Sequence, residues 1–112
     1  MNVSTTSDAA RALGQLEGIS PQTRGAAILT DGGEVLAASG DPVAWGGAGR
    51  ELLTAADAAG GEPAAHAHVA TADGEVFCVR ESGLVGVAVT DRFVLASLVF
   101  FDLRAALRGL AR

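Results

Sequence analysis

The sequence predicts an α+β domain, a single five-stranded antiparallel sheet with helices packed on it, in the order α-β-β-α-β-β-β-α. Three observations predict it. Gly25–Thr30 and Glu34–Ser39 are short β-like runs joined by Asp31-Gly32-Gly33, a hairpin turn in which glycine supplies positive φ. After Pro63 come three further runs, linked only by Asp73-Gly74 and Ser82-Gly83. Links this short join antiparallel neighbours, because a parallel crossover needs about a dozen residues. Outside these runs, apolar residues recur every three or four positions, the spacing of helices that bury one stripe.

Taken in order, residues 1–6 are a polar, disordered tail and residues 7–112 form the domain. Ser7 caps the first helix with Asp8 in its first turn, and Ala9, Leu13, Leu16 and Ile19 share a stripe up to the stop at Ser20-Pro21. The hairpin follows. Asp41-Pro42 then opens a middle helix whose stripe is Trp45, Gly49, Leu52, Ala56 and Ala59, ended by Gly60-Gly61. Its start is ambiguous. Interior glycines cost about 1 kcal/mol each relative to alanine, so Gly46, Gly47 and Gly49 allow either a loop before Ala48 or a flat-faced helix from Pro42. Ala64–Ala72, Glu75–Arg80 and Leu84–Thr90 are the remaining strands, the last almost wholly apolar as for a strand covered on both faces. The final helix runs over Val94–Leu110 with Leu95, Leu98, Val99, Leu103, Ala106, Leu107 and Leu110 as its stripe. Arg104, Arg108 and Arg112 form a solvated row beside it.

Composition narrows the function. A chain of 112 residues is one domain, and 49% hydrophobic content leaves apolar residues at its boundary, which favours a partner surface. The net charge of −5, with arginine as the sole cation and no basic cluster, argues against nucleic acid. The start Met1-Asn2-Val3-Ser4 is not a signal peptide, no apolar run is long enough for membrane insertion, and Cys78 alone builds no disulfide framework. A cytoplasmic protein is expected.

Leu13-x-x-Leu16 leading into Gly25–Thr30, Asp31–Ser39, Val76–Glu81, Leu84–Thr90 and Phe101-Asp102-Leu103-Arg104-x-x-Leu107 together resemble the roadblock/LC7 family. Element order and turn placement carry the likeness, over nearly the whole chain beyond its tail. The resemblance implies a roadblock/longin-like sheet and a dimer in which third strands pair edge to edge and middle helices lie side by side. It also implies a prokaryotic regulator of a small Ras-like GTPase, without catalytic side chains or cofactor. On this chain the interface would draw on Trp45, Gly49, Arg50, Leu53 and Ala56 of the middle helix and His66, His68 and Ala70 of the third strand. The glycine-heavy middle helix departs from the family pattern. A dimerisation scaffold without GTPase contact, or a longin-like small-molecule sensor, stays open, as does a profilin-like sheet.

Chemistry outside the resemblance is sparse. His66 and His68 point to one face of a strand and would make half a metal site, but no third and fourth ligand follow at a recognisable spacing. An interface patch is the preferred reading. Cys78 has no adjacent base and reads as a small buried hydrophobe. Gly46-Gly47-Ala48-Gly49-Arg50 lacks the Lys-Ser/Thr of a phosphate loop, so the chain is not itself expected to be a GTPase. Trp45 fits a core plug or an interface anchor equally. If the third strands pair across a dimer, His66 and His68 lie near its axis. Imidazole gains charge below about pH 6.5, so acidification from neutral to acidic pH is expected to raise the dimer dissociation constant. Sedimentation at both pH values reads this directly, and an unchanged constant removes the idea.

Overall fold

The structure, a computed structural model, describes residues 6–19, 22–39, 42–61 and 65–110; within these, the side chains of residues 6, 7, 17, 19 and 42–49 lie outside the description. Helix α1 is Thr6–Ile19, β1 Thr23–Thr30, β2 Val35–Ala38, α2 Pro42–Gly60, β3 His66–Ala70, β4 Glu75–Glu81, β5 Leu84–Thr90 and α3 Ala96–Leu110. The strands form one antiparallel sheet in the order β2-β1-β5-β4-β3. This is the architecture expected, helices and strands in the expected order. Of the polar tail, residues 1–5 lie outside the described residues, and α1 already includes Thr6.

Period-two alternation sorts side chains to the two sheet faces. On one face Ala26, Ile28, Phe77, Val79, Leu84 and Ala88 meet Ala9, Leu13 and Leu16 of α1 and Leu103, Leu107 and Leu110 of α3. On the other, Ala27, Leu29, Cys78, Val85 and Val87 lie under α2, which contributes Leu53. Helices therefore cover both faces, and β5 is buried along almost its whole length.

The turns follow their chemistry. Gly33 takes φ 96° in the β1–β2 turn, and Ser82 and Gly83 take 56° and 78° in the β4–β5 turn, the two consecutive positive angles of a tight hairpin. Gly74 serves differently: a methyl there would overlap the Thr90 carbonyl oxygen. Helix α2 begins at Pro42, so the glycine segment is helix and not loop.

The α3 stripe was drawn too widely from sequence. Leu95 and Leu98 are exposed, and the helix starts two residues later than the apolar pattern suggested. The reason is local. Phe93 adopts φ 63°, which helical backbone excludes, and the Val94 N–H, which would have no helical carbonyl even if the helix began there, donates to Glu75 Oε2 (3.2 Å). The phase of α3 then puts Leu103, Leu107 and Leu110 on the sheet and turns Leu98 and Phe101 outward. Of the arginine row, Arg104 lies over the Phe100 ring and Arg108 pairs with Glu81, while Arg112 lies outside the described residues. Leu107→Ala is expected to cost about 2–5 kcal/mol of unfolding free energy, and Leu98→Ala less than about 0.5 kcal/mol. Urea denaturation of both variants checks this; equal losses would mean that α3 is packed through a different face.

Candidate functional site

Strand β3 is one edge of the sheet. Arg80 N–H donates to the Ala65 carbonyl and Thr71 N–H to the Gly74 carbonyl, both at 2.8 Å, and the register runs from His66↔Val79 to Ala70↔Glu75. Antiparallel ladders alternate hydrogen-bonded and open pairs. The main-chain groups of Ala67 and Val69 therefore face β4, and those of His66, His68 and Ala70 face outward, away from the sheet.

The same alternation sends the side chains to opposite faces. His66 and His68 lie on the α3 face, as their spacing implied: the His66 ring meets Phe100 at 4.8 Å between centroids, and His68 stacks on Phe77 at 4.2 Å and 10°. Ala67 points to the α2 side. His68 Nε2 lies 2.7 Å from Glu75 Oε1. Glu75 is buried, which by itself would push its pKa up. Hydrogen bonds from His68 and from the backbone at Val94 and Phe93, together with the His68 charge, outweigh burial and hold the carboxyl below its ordinary value.

On the α2 side, Arg50 is exposed and Ala56 half-buried, but Leu53 is buried in the core and forms the floor under the helix. The side chains of Trp45 and Gly49 lie outside the described residues. The Arg50 guanidinium spans to the β1–β2 turn, donating to the Gly32 carbonyl at 3.5 Å, beside a cavity of about 160 Å³ that Thr54 and Arg80 also line. Gly33 takes a φ of 96°, which favours glycine, and a side chain there would require the exposed Arg50 guanidinium to swing aside. The predicted interface residues thus divide into two groups on opposite sheet faces, His66 and His68 on one and Arg50, Leu53 and Ala56 on the other. The β3 main chain is where the two sides meet.

Two elements escaped the sequence reading. Asp57 of α2 grips Arg80 of β4 through two hydrogen bonds of 2.7 and 3.0 Å, with Asp31 at 3.4 Å from Arg80 Nε. The Asp57 carboxylate raises the Arg80 pKa further above its ordinary value. The sole hint was a lone arginine ending an apolar strand. Glu75 was more accessible: the Asp73-Gly74 turn fixes the hairpin register, which sets Glu75 diagonal to His68. Cys78 is fully buried, and burial pushes its thiol up to about 11, so it is neutral at pH 7 and a poor nucleophile. Among the described residues, no three of His, Cys, Asp and Glu gather as a metal site, and no helix is long and apolar enough to cross a membrane.

Solved structures share this arrangement. A roadblock/LC7 domain from Streptomyces avermitilis superposes with a TM-score of 0.77 at 18% identity, covering 89% of this chain and 92% of that one. Myxococcus xanthus MglB gives 0.71 at 13% identity, over 99% and 90%. Profilin II of Acanthamoeba castellanii gives 0.62 at 15% identity, over 92% and 96%, a likeness of the common sheet. No family model and no curated protein matches the sequence. The chain has the roadblock/LC7 fold.

The Glu75 carboxylate ties β3 to the start of α3, and its depressed pKa makes that tie pH-dependent. Its contribution is fully present above the ordinary carboxyl range of about 4.3 and is lost as pH falls through the lower folded-state value. Glu75→Gln is expected to melt earlier than the parent at pH 7, with the gap closing on acidification. Thermal melts from pH 7 to 3 test it. A constant gap would show that the hydrogen-bonding shape of the side chain matters and its charge does not.

Proposed function

We propose that this chain is a non-catalytic, dimeric regulator or adaptor that binds a small Ras-like GTPase through a platform of joined sheet and middle helices. The observation that carries the reading is the open β3 edge, whose outward main-chain groups at His66, His68 and Ala70 have no strand beside them among the described residues. Edge strands left open in soluble proteins are normally blunted by charge, proline or a covering element. Ala65–Thr71 contains no proline and no acidic or arginine residue, whereas the opposite edge, β2, is short and flanked by both α1 and α2. Two β3 edges related by a two-fold axis would form one continuous sheet and bring the two α2 helices together on a single face. Trp45, Gly49, Arg50 and Ala56 would then contribute to the α2 platform, and His66, His68 and Ala70 to the seam.

The fold shared with roadblock/LC7 domains and MglB supports a role in binding over catalysis. An arginine supplied in trans would be Arg50, which is exposed and would have to leave the Gly32 carbonyl to act.

Light scattering across a concentration series is expected to report a dimer. Ala70→Pro removes an outward N–H without touching the β4 ladder, so it should yield a folded monomer. The parent, and not the Ala70→Pro monomer, should bind a Ras-like GTPase of the same organism loaded with a non-hydrolysable GTP analogue in preference to GDP. A dimer indifferent to Ala70→Pro would refute the edge pairing. A dimer that binds none of these GTPases in either nucleotide state would leave a scaffold in place of a regulator.

A further inference from the structure

Residues 92–112 carry four arginines and one aspartate, a net +3, whereas the 91 residues before them carry four arginines and twelve acids, a net −8. The exposed apolar side chains gather on the same segment. Phe93 is 84% exposed, Leu95 67%, Leu98 53% and Phe101 66%; of the large hydrophobics exposed among the described residues, only Val69 lies elsewhere. Leu98 and Phe101 are three apart on α3 and share its outward side, opposite Leu103 and Leu107 in the core. Leu95 sits one turn earlier, its carbonyl accepting from the N–H of Leu98.

Phe93 is held outward and not merely left loose. Its positive φ is rare for an L-residue, and the Glu75–Val94 hydrogen bond retains the loop in that shape. Arginines accompany the apolar tips: the Arg92 guanidinium is 4.5 Å from the Phe93 ring centroid, Arg104 is 5.7 Å from that of Phe100, and Arg108 borders a shallow hollow beside Phe101. The neighbouring acids are Glu75, buried and held by His68 and the Val94 N–H, Glu81, paired with Arg108 at 2.9 Å and released when Arg108 turns to a phosphate, Asp91, paired with Arg24 at 2.6 Å, and Asp102.

We propose that this ridge is a docking surface for an anionic lipid bilayer, with Phe93, Leu95, Leu98 and Phe101 in the headgroup–acyl boundary and Arg92, Arg104 and Arg108 on lipid phosphates. A fluid interface receives a convex row of separate tips without needing a complementary groove, and interleaved arginines keep their stems on apolar surface while their heads reach phosphate. The same negative surface repels the acidic remainder of the chain, which orients it with α3 toward the lipid. The association is peripheral. At one end Arg92 and Phe93 share a hollow with Ala70 of the β3 edge, while Leu98 and Phe101 lie along α3.

The test is cosedimentation of the full chain with large unilamellar vesicles, either pure phosphatidylcholine or containing phosphatidylserine. Binding to the anionic vesicles alone is expected, lost at high salt as the Debye length shrinks. Leu98→Ser with Phe101→Ser should weaken it at least about tenfold, in proportion to the apolar area withdrawn, with the melting temperature unchanged. Arg104→Gln with Arg108→Gln should weaken it comparably, since each cation near such a surface strengthens binding about fivefold. No binding to anionic vesicles, or undiminished binding by the Leu98→Ser, Phe101→Ser protein, would overturn the proposal. So would an oligomer whose mass falls on those two substitutions in the absence of vesicle binding, which would assign the ridge to a second copy of the chain.

Discussion

Strand β5 is apolar toward both of its neighbours in depth, and the arrangement of the chain depends on covering it. Leu84, Gly86 and Ala88 face α3 while Val85 and Val87 face α2. A buried Val or Leu side chain contributes about 1.5–3 kcal/mol, but only where something shields it from water. A sheet with β5 at its centre therefore needs helix on both faces. Gly86 sets how close the cover comes: a methyl there would press on Leu103 and Leu107 at 3.3–3.5 Å, so the bare backbone lets α3 settle onto the strand. With β1 and β4 on either side of β5, the hairpin partners β2 and β3 become the two edges.

The two covers are attached differently. Helix α3 offers Leu103, Leu107 and Leu110 and shares its core with α1, so its hold is apolar. Among the described side chains of α2, Leu53 is the buried anchor with Leu52 packed beside it, and the helix's glycines weaken it from within. The Asp57–Arg80 pair compensates by fixing where α2 lies along β4. A partly exposed ion pair adds little net stability, so its effect is chiefly on position. The anchors Leu53 and Asp57 both fall in the C-terminal half of α2.

What the sequence disclosed and what it concealed divide by range. Turn chemistry at Gly33 and Gly83, the almost wholly apolar run of β5 covered on both faces, and the shared face of His66 and His68 are local, and each was legible. The start of α3 was not, because Leu95 extends the apolar pattern beyond the helix; Leu98, five positions before Leu103, sits about 140° round the helix from it, so its outward phase follows from spacing. The start is marked by Phe93, whose φ of 63° is not helical, and by Glu75, 19 residues earlier, which accepts from the Val94 N–H. Asp57 and Arg80, 23 residues apart, meet only once α2 has crossed the sheet. The histidines and the α2 residues look like one interface in the sequence because they are close along the chain. Strand alternation places them on opposite faces, a fact that follows from strand order and not from spacing.

Edge asymmetry bears on how far association can go. A sheet open at both edges can add copies without limit, and this is the geometry of fibres. Here β2 is four residues long and flanked by α1 and α2, which leaves little ladder for another chain. Only β3 offers an extended run of outward main-chain groups. Pairing through a single edge is self-complementary about a two-fold axis, and each copy that pairs consumes the edge it has. Growth of the sheet then stops at two. Any larger assembly would have to use surface away from the sheet edges, and among the described residues the large exposed apolar side chains other than Val69 lie on the loop before α3 and along that helix. The fold thus gives strand pairing, which is finite, to β3 and most of the apolar ridge to α3, in a segment that holds four of the chain's eight arginines.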